Sequence, residues 1–191
     1  MQNQIAFLES YYKNDKKNNG FVIDIALDSY TDIFNEYDPS PFKKRDLNPE
    51  LLDYLEDCST DIPLKYPIVI QFNLPKENHD LMKETKIKDG FKSYYSFLSF
   101  SAEKEYKKLI IQNIYNVLIS IFLLLAGLTL EFYFSNIDFL FTSILSNVIV
   151  IGGWVFMWQA ITMIVFERKS YKEKYLKYKR FTKAPIKFNA I

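Results

Sequence analysis

The chain has 191 residues, a formal net charge of +1, 49% apolar residues and 25% charged residues. Those averages are those of a soluble globular protein, but no charged residue occurs from Leu109 to Leu130 or from Phe139 to Phe166. This distribution excludes a simple soluble domain, a disordered chain and a collagen-like fibre. The single cysteine, Cys58, excludes an intrachain disulfide framework, and the near-zero charge gives no whole-chain case for nucleic-acid binding.

Residues 1–19 read as a short amphipathic helix over IAFLESYY, followed by a flexible link, NDKKNNG. Residues 20–108 then read as an α+β domain. Phe21 to Leu27 alternates with β-branched residues and predicts a strand. Asp28, Ser29 and Thr31 offer a helix start before Ile33 and Phe34. The segment from Asp38 to Pro49 carries Pro39, Pro41 and Pro49 and reads as an irregular loop. Asn48 before Pro49 is an N-cap with proline at the first helical position, and the helix that follows turns Leu51, Leu52 and Leu55 inward. Tyr66 to Leu74 is the second strand. From about Glu77 a long helix carries Phe91, Tyr94, Tyr95, Leu98 and Ala102 on one face and runs on into the first uncharged segment.

Residues 109–166 read as a two-helix transmembrane hairpin. Residues 109–130 would span ~33 Å as a helix, just over the ~30 Å hydrocarbon core. Residues 139–166 would span ~42 Å and must tilt or begin in the interface. The turn at 131–138 holds two acids and three aromatics. Lys104, Lys107 and Lys108 precede the first span, and Arg168, Lys169, Lys172 and Lys174 follow the second. The positive-inside bias places both basic flanks and both termini in the cytoplasm, with the acidic turn outside the cell (inner) membrane. Lys107, Lys108, Arg168, Lys169 and Lys172 are the expected lipid-facing flank.

Residues 167–191 read as a basic helix, with Tyr171, Tyr175 and Tyr178 on one side, ended by Ala184-Pro185. A third strand, IKFNAI, returns to the sheet. The expected fold is therefore an α+β cytoplasmic domain, a small sheet of about three strands with helices, joined to a two-helix transmembrane hairpin. The basic tail would also tolerate an anionic nucleotide, but its place beside a span suits lipid headgroups, so nucleic acid is not the expected partner.

Candidate residues fall into two groups. Ser146, Gly153 and Ala160 recur every seven residues, and Asn113, Asn116, Ser120 and Gly127 share a face of the first span that Asn147 could meet. They form a helix-packing or oligomer face. Neither span holds an ionisable residue, which counts against ion-coupled transport. From Asp24 to Asp61 stand eleven acids against Lys43, Lys44 and Arg45. Asp28, Asp32, Glu36, Asp46, Asp53 and Asp57 are the candidate partner-docking face. Asp24 lies inside an apolar strand and needs a partner, with Lys43 to Arg45 as candidates. His79 reads as a solvated residue at a helix start, and Cys58 as a half-buried helix-end residue. With one histidine and one cysteine no His/Cys zinc site is possible within one chain, and no phosphate-binding glycine loop or nucleophile elbow occurs. No catalytic, cofactor or metal residues are expected.

The segments Asp38-Pro-Ser-Pro-Phe42, Arg45-Asp-Leu47 and Ile151-Gly-Gly-Trp-Val-Phe156 resemble segments of small prokaryotic two-helix membrane proteins of unknown function. The resemblance spans roughly residues 20–190 and implies no activity and no site residues. The expected function is that of a non-enzymatic integral membrane protein whose cytoplasmic domain docks a protein partner or self-associates. The alternative is an oligomeric membrane-perturbing or pore-forming effector, as in a bacterial defence system.

Overall fold

A computed structural model describes residues 2–15, 17–18, 20–41, 45–134 and 139–191. The elements in chain order are α1 (Gln2–Tyr11), β1 (Lys13–Asp15), β2 (Gly20–Ala26), a 3-10 turn (Tyr30–Ile33), α2 (Pro49–Asp61), β3 (Ile68–Leu74), α3 (Leu81–Phe134), α4 (Phe139–Thr162), a π-helical turn (Met163–Glu167), α5 (Arg168–Lys183) and β4 (Ile186–Ala190). The chain divides into two compact units, Met1–Ser101 with Tyr175–Ile191, and Ala102–Lys174.

The first unit is built on a four-stranded sheet in the order β1-β2-β3-β4. β2, β3 and β4 run parallel, and β1 is antiparallel to β2. The sheet thus has four strands rather than the three expected. The extra one is β1, at Lys13–Asp15, where the sequence suggests a flexible link. Its three residues are polar and carry no alternation. Local polar bonds shape the turn that follows: Asp15 accepts from the Lys17 N–H and from the Asn18 amide. Lys187 of β4 also donates to Asp15. With the Lys187 ammonium as the largest cause and the Asn18 amide next, the Asp15 carboxyl is held down to about 2.

Alternation gives the sheet two unlike faces. Phe21, Ile23, Ile25, Ile68, Ile70, Phe72, Leu74 and Ile186 are buried in one core with Leu51 and Leu55 of α2 and Ile87, Phe91 and Tyr95 of α3. α2 begins where expected, with the Asn48 side chain accepting from the Glu50 N–H at 2.9 Å and Pro49 at its first position. The segment after β2 makes only a single 3-10 turn, closed by a capping box between Ser29 and Asp32. An aromatic chain links three elements: Phe72 meets Phe91 edge-on at 6.4 Å, Phe91 meets Tyr95 at 4.7 Å, and Tyr95 stacks on Phe181 of α5 at 4.5 Å.

Arg180 of α5 binds the end of α2. Its guanidinium donates to the carbonyl of Ser59 in the last turn of α2 and to those of Ile62 and Pro63 just beyond it. Its bonds described here go to backbone carbonyls and the Ser59 hydroxyl, and desolvation brings the group down to about 10, so it stays cationic at neutral pH.

The second unit comprises the remainder of α3, α4, the π-helical turn and the first part of α5. Two windows, within Leu81–Phe134 and Leu140–Lys183, have mean hydropathies of 2.2 and 2.0, and only 11% and 17% of them are buried. The chain therefore has two helices long and apolar enough to cross a membrane, with most of their apolar surface facing outward. Of the turn expected at 131–138, residues 131–134 instead continue α3, and residues 135–138 lie outside the described residues.

Replacing Arg180 by Met should cost about 2–3 kcal/mol, because three carbonyls lose a charged donor. Thermal unfolding in detergent should shift down by several degrees, with only partial recovery for Arg180→Lys, whose compact ammonium cannot span the same carbonyls. An unchanged midpoint would show that α5 does not cap α2.

Candidate functional site

Within the second unit the two apolar helices meet along a seam of small and polar residues. Ser120 donates to the carbonyl of Gly153 at 2.8 Å, and Ser146 donates to the carbonyl of Gly127 at 2.8 Å. Each helix thus supplies one serine donor and, seven residues later, one glycine acceptor. The contacts also run in opposite directions along the two helices, with Asn116 reaching the sulfur of Met163 and Thr142 the carbonyl of Phe134. Both glycines are required by close approach. A Cβ on Gly127 would lie 2.6 Å from Val150 Cγ2, and one on Gly153 would lie 2.9 Å from Leu124 Cγ and 3.2 Å from the Leu124 backbone nitrogen.

The structure brings Asn116, Ser120, Gly127, Ser146, Gly153 and Ala160 together, all buried in this seam. Asn113 is half-buried, and its amide oxygen is enclosed with no hydrogen-bond partner. Asn147 turns outward instead and donates to the Ser143 carbonyl of its own helix. The basic flanks of the two helices also meet. Arg168 Nε lies 3.5 Å from the Tyr106 hydroxyl, and Lys174 pairs with Glu105 at 3.2 Å. Lys107 pairs with Glu103 and Lys169 with Glu173, while Lys108 and Lys172 are exposed.

In the first unit the second face of the sheet is polar. Asp24, Gln71 and Lys187 stand side by side in register on β2, β3 and β4. Asp24 pairs with Lys13 at 2.9 Å and accepts from Gln71 at 2.7 Å. Asn73 accepts from Gln71 and Asn189, each at 3.2 Å. Parallel strands are ordinarily covered on both faces, so a half-exposed amide and charge network here is a departure. The partner of Asp24 is therefore Lys13, eleven residues upstream across a turn. Arg45 is directed elsewhere, donating to the Asn35 carbonyl at 2.9 Å, and Lys43 and Lys44 lie outside the described residues.

At the carboxyl ends of the strands a second polar cluster forms. The buried Glu84 accepts from the Tyr30 hydroxyl at 3.1 Å and lies 2.9 Å from His79 Nδ1, while the Asp80 N–H donates to Tyr30 at 2.9 Å. His79 is exposed just before α3, as expected, and in addition partners a buried carboxyl group. Burial pushes the Tyr30 hydroxyl up. The cluster ties the loops after β2 and β3 to the first turn of α3.

The acidic candidates are all exposed but do not share one element. Asp32 caps the 3-10 turn, accepting from the N–H groups of Asp28 and Ser29. Glu36 and Asp46 flank a loop around an isolated bridge between Phe34 and Leu47. Asp53 and Asp57 stand one turn apart on α2, beside Tyr54. That surface borders a cavity of about 660 Å³ lined by Phe7 and Tyr11 of α1 and by Tyr54, Asp57, Cys58 and Asp61. Phe7, Tyr11 and Tyr54 are exposed aromatics, and sequence periodicity alone did not join α1 to this acidic edge. The Tyr12 hydroxyl donates to Asp61 at 2.9 Å. Burial, followed by Cys58, pushes the Tyr54 hydroxyl up to about 12. Cys58 itself is buried.

Among the described residues no group of three His, Cys, Asp or Glu side chains could hold a metal. The clusters offer hydrogen bonds, paired charges and an aromatic cleft, which are means of binding. No family model matches the chain, and neither a curated protein nor a solved structure matches it.

Gly153→Leu should push α3 and α4 apart and cost about 1–3 kcal/mol, whereas Ser120→Ala should cost about 0.6 kcal/mol. Thermal denaturation of the purified chain in detergent should rank the variants in that order. Equal midpoints for wild type and Gly153→Leu would show that the helices do not approach closely at that position.

Proposed function

We propose that this chain is a non-enzymatic, two-span membrane protein that holds a small α+β domain at the cytoplasmic surface, where the domain docks a protein partner. The observation that carries this reading is the place of β4. It is encoded after both apolar helices, yet it pairs with β3, encoded before them. A chain that leaves the sheet, enters a bilayer and returns to the same sheet crosses an even number of times. With two candidate spans that gives a hairpin, and both termini lie on the side of the sheet. The basic flanks favour the cytoplasm for that side.

Docking is supported by the α1–α2 cleft. Exposed aromatic rings beside Asp57 and Asp61, with Asp53 one turn away on α2, suit a partner segment that carries basic and apolar side chains. Anchoring is favoured over pore formation because the two seam serines are used within one chain. Ser120 and Ser146 are both satisfied by the facing helix, which leaves them no role in lining a water path.

Two measurements test this reading. The chain should stay with membranes after an alkaline carbonate wash and dissolve only with detergent; release by carbonate would overturn it. A photo-crosslinking residue in place of Tyr54 should give one discrete protein adduct in cells, and Asp53→Lys with Asp57→Lys should reduce it at least fivefold. An adduct unaffected by charge reversal would contradict docking through this face.

A further inference from the structure

A second cavity in the first unit is independent of the docking cleft. It opens where the loop before β3 and the last turns of α5 converge at the amino ends of two parallel strands, and its volume is about 380 Å³. That lies within the range of small-molecule sites, about 300–1,000 Å³. Leu176, Lys179, Arg180 and Lys183 line it from α5 at spacings i, i+3, i+4 and i+7, one face of the helix. Lys65 lines it from the loop, with its ammonium 4.7 Å from the centre of the Tyr66 ring. Four cationic residues therefore converge on this cavity, and none of its lining residues is a carboxylate.

Local structure explains only part of that charge. Arg180 and Lys183 complement the carbonyl end of α5, and Arg180 also caps α2. Lys179 donates to the Tyr175 hydroxyl at 2.8 Å. Lys65 belongs to another element and has no such duty toward the α5 terminus. Gathering like charges around a partly enclosed space is unfavourable unless an anion occupies it. The remaining wall is apolar, formed mainly by Tyr66, Leu176 and Pro185.

From this convergence we infer that the cavity binds a phosphate-bearing small molecule. Its phosphate would sit among Lys65, Lys179 and Lys183, with the α2-capping Arg180 adding only its positive charge, and its less polar part would rest on Tyr66 and Leu176. A soluble phosphate ester and a lipid headgroup share this chemistry. The test uses the full chain in a neutral maltoside detergent, titrated calorimetrically with adenosine diphosphate, with inorganic phosphate and with dihexanoyl phosphatidic acid.

At least one of the two esters should bind, more tightly than inorganic phosphate and more weakly as salt rises. Binding of adenosine diphosphate alone identifies a soluble ligand, and binding of the short-chain phosphatidate alone identifies a lipid headgroup. Lys65→Ala combined with Lys183→Ala should weaken binding at least tenfold, while Lys65→Arg retains it. The ligand-free thermal midpoint, measured on the same samples, should fall by no more than about 4 °C in the double variant, the loss expected from Lys183 at the α5 terminus, and should hold in Lys65→Arg. Failure of both esters to bind at millimolar concentration, or equal binding by the double variant, would overturn the inference. A folded, carbonate-resistant protein that fails this test would leave the anchoring reading intact.

Discussion

The pairing of β4 with β3 is the constraint on which the rest depends. Five positions are in register, from Ile70 beside Ile186 to Leu74 beside Ala190, and the Ile191 N–H extends the contact to the Leu74 carbonyl. Parallel strands need a crossover connection, usually a helix. Between β2 and β3 that connection is ordinary: a 3-10 turn, a loop and α2. Between β3 and β4 it contains every residue of the two membrane-length helices. The chain is therefore a small parallel sheet in which one crossover has been enlarged into an apolar excursion. The aromatic chain from Phe72 to Phe181 and the capping of α2 by Arg180 fix both ends of that excursion to the same core.

The apolar pair has its own internal logic. In a bilayer, lipid tails solvate leucine as well as another helix does, so association relies on close packing and hydrogen bonds. Ser120 with Gly127, and Ser146 with Gly153, place the same serine–glycine spacing on two oppositely running helices. Each glycine permits the approach and offers the carbonyl that the facing serine needs. The π-helical turn at Met163–Glu167 falls where α4 passes into basic α5, and it keeps Met163 in the seam against Asn116.

Much of this was legible in the residues. Long uncharged runs state their length directly, β-branched alternation marks β2 and β3, and Asn48-Pro49 marks the start of α2. What escaped was polar and non-local. β1 is three polar residues with no period, held to the sheet by its pairing with β2, two ion pairs and turn chemistry. Lys13, which pairs with Asp24, lies across that same turn, whereas nearness in the acidic loop pointed to Arg45, which is directed to Asn35. His79 is exposed as read, but its contact with Glu84 was missed because that carboxyl carries no sequence sign of burial. Heptad spacing identified the small residues of the seam, but Asn147 sits one position round the helix from Ser146, and that rotation turns it away from α3. The joining of α1 to the acidic edge of α2 depends on tertiary packing that no local pattern encodes.

The proposed topology is tested most directly by labelling single added cysteines in intact cells, since the native Cys58 is buried. Tyr133→Cys should react with a membrane-impermeant maleimide, and Ile191→Cys should react only after the cells are permeabilised. Labelling of Ile191→Cys from outside, with Tyr133→Cys protected, would contradict the proposed orientation.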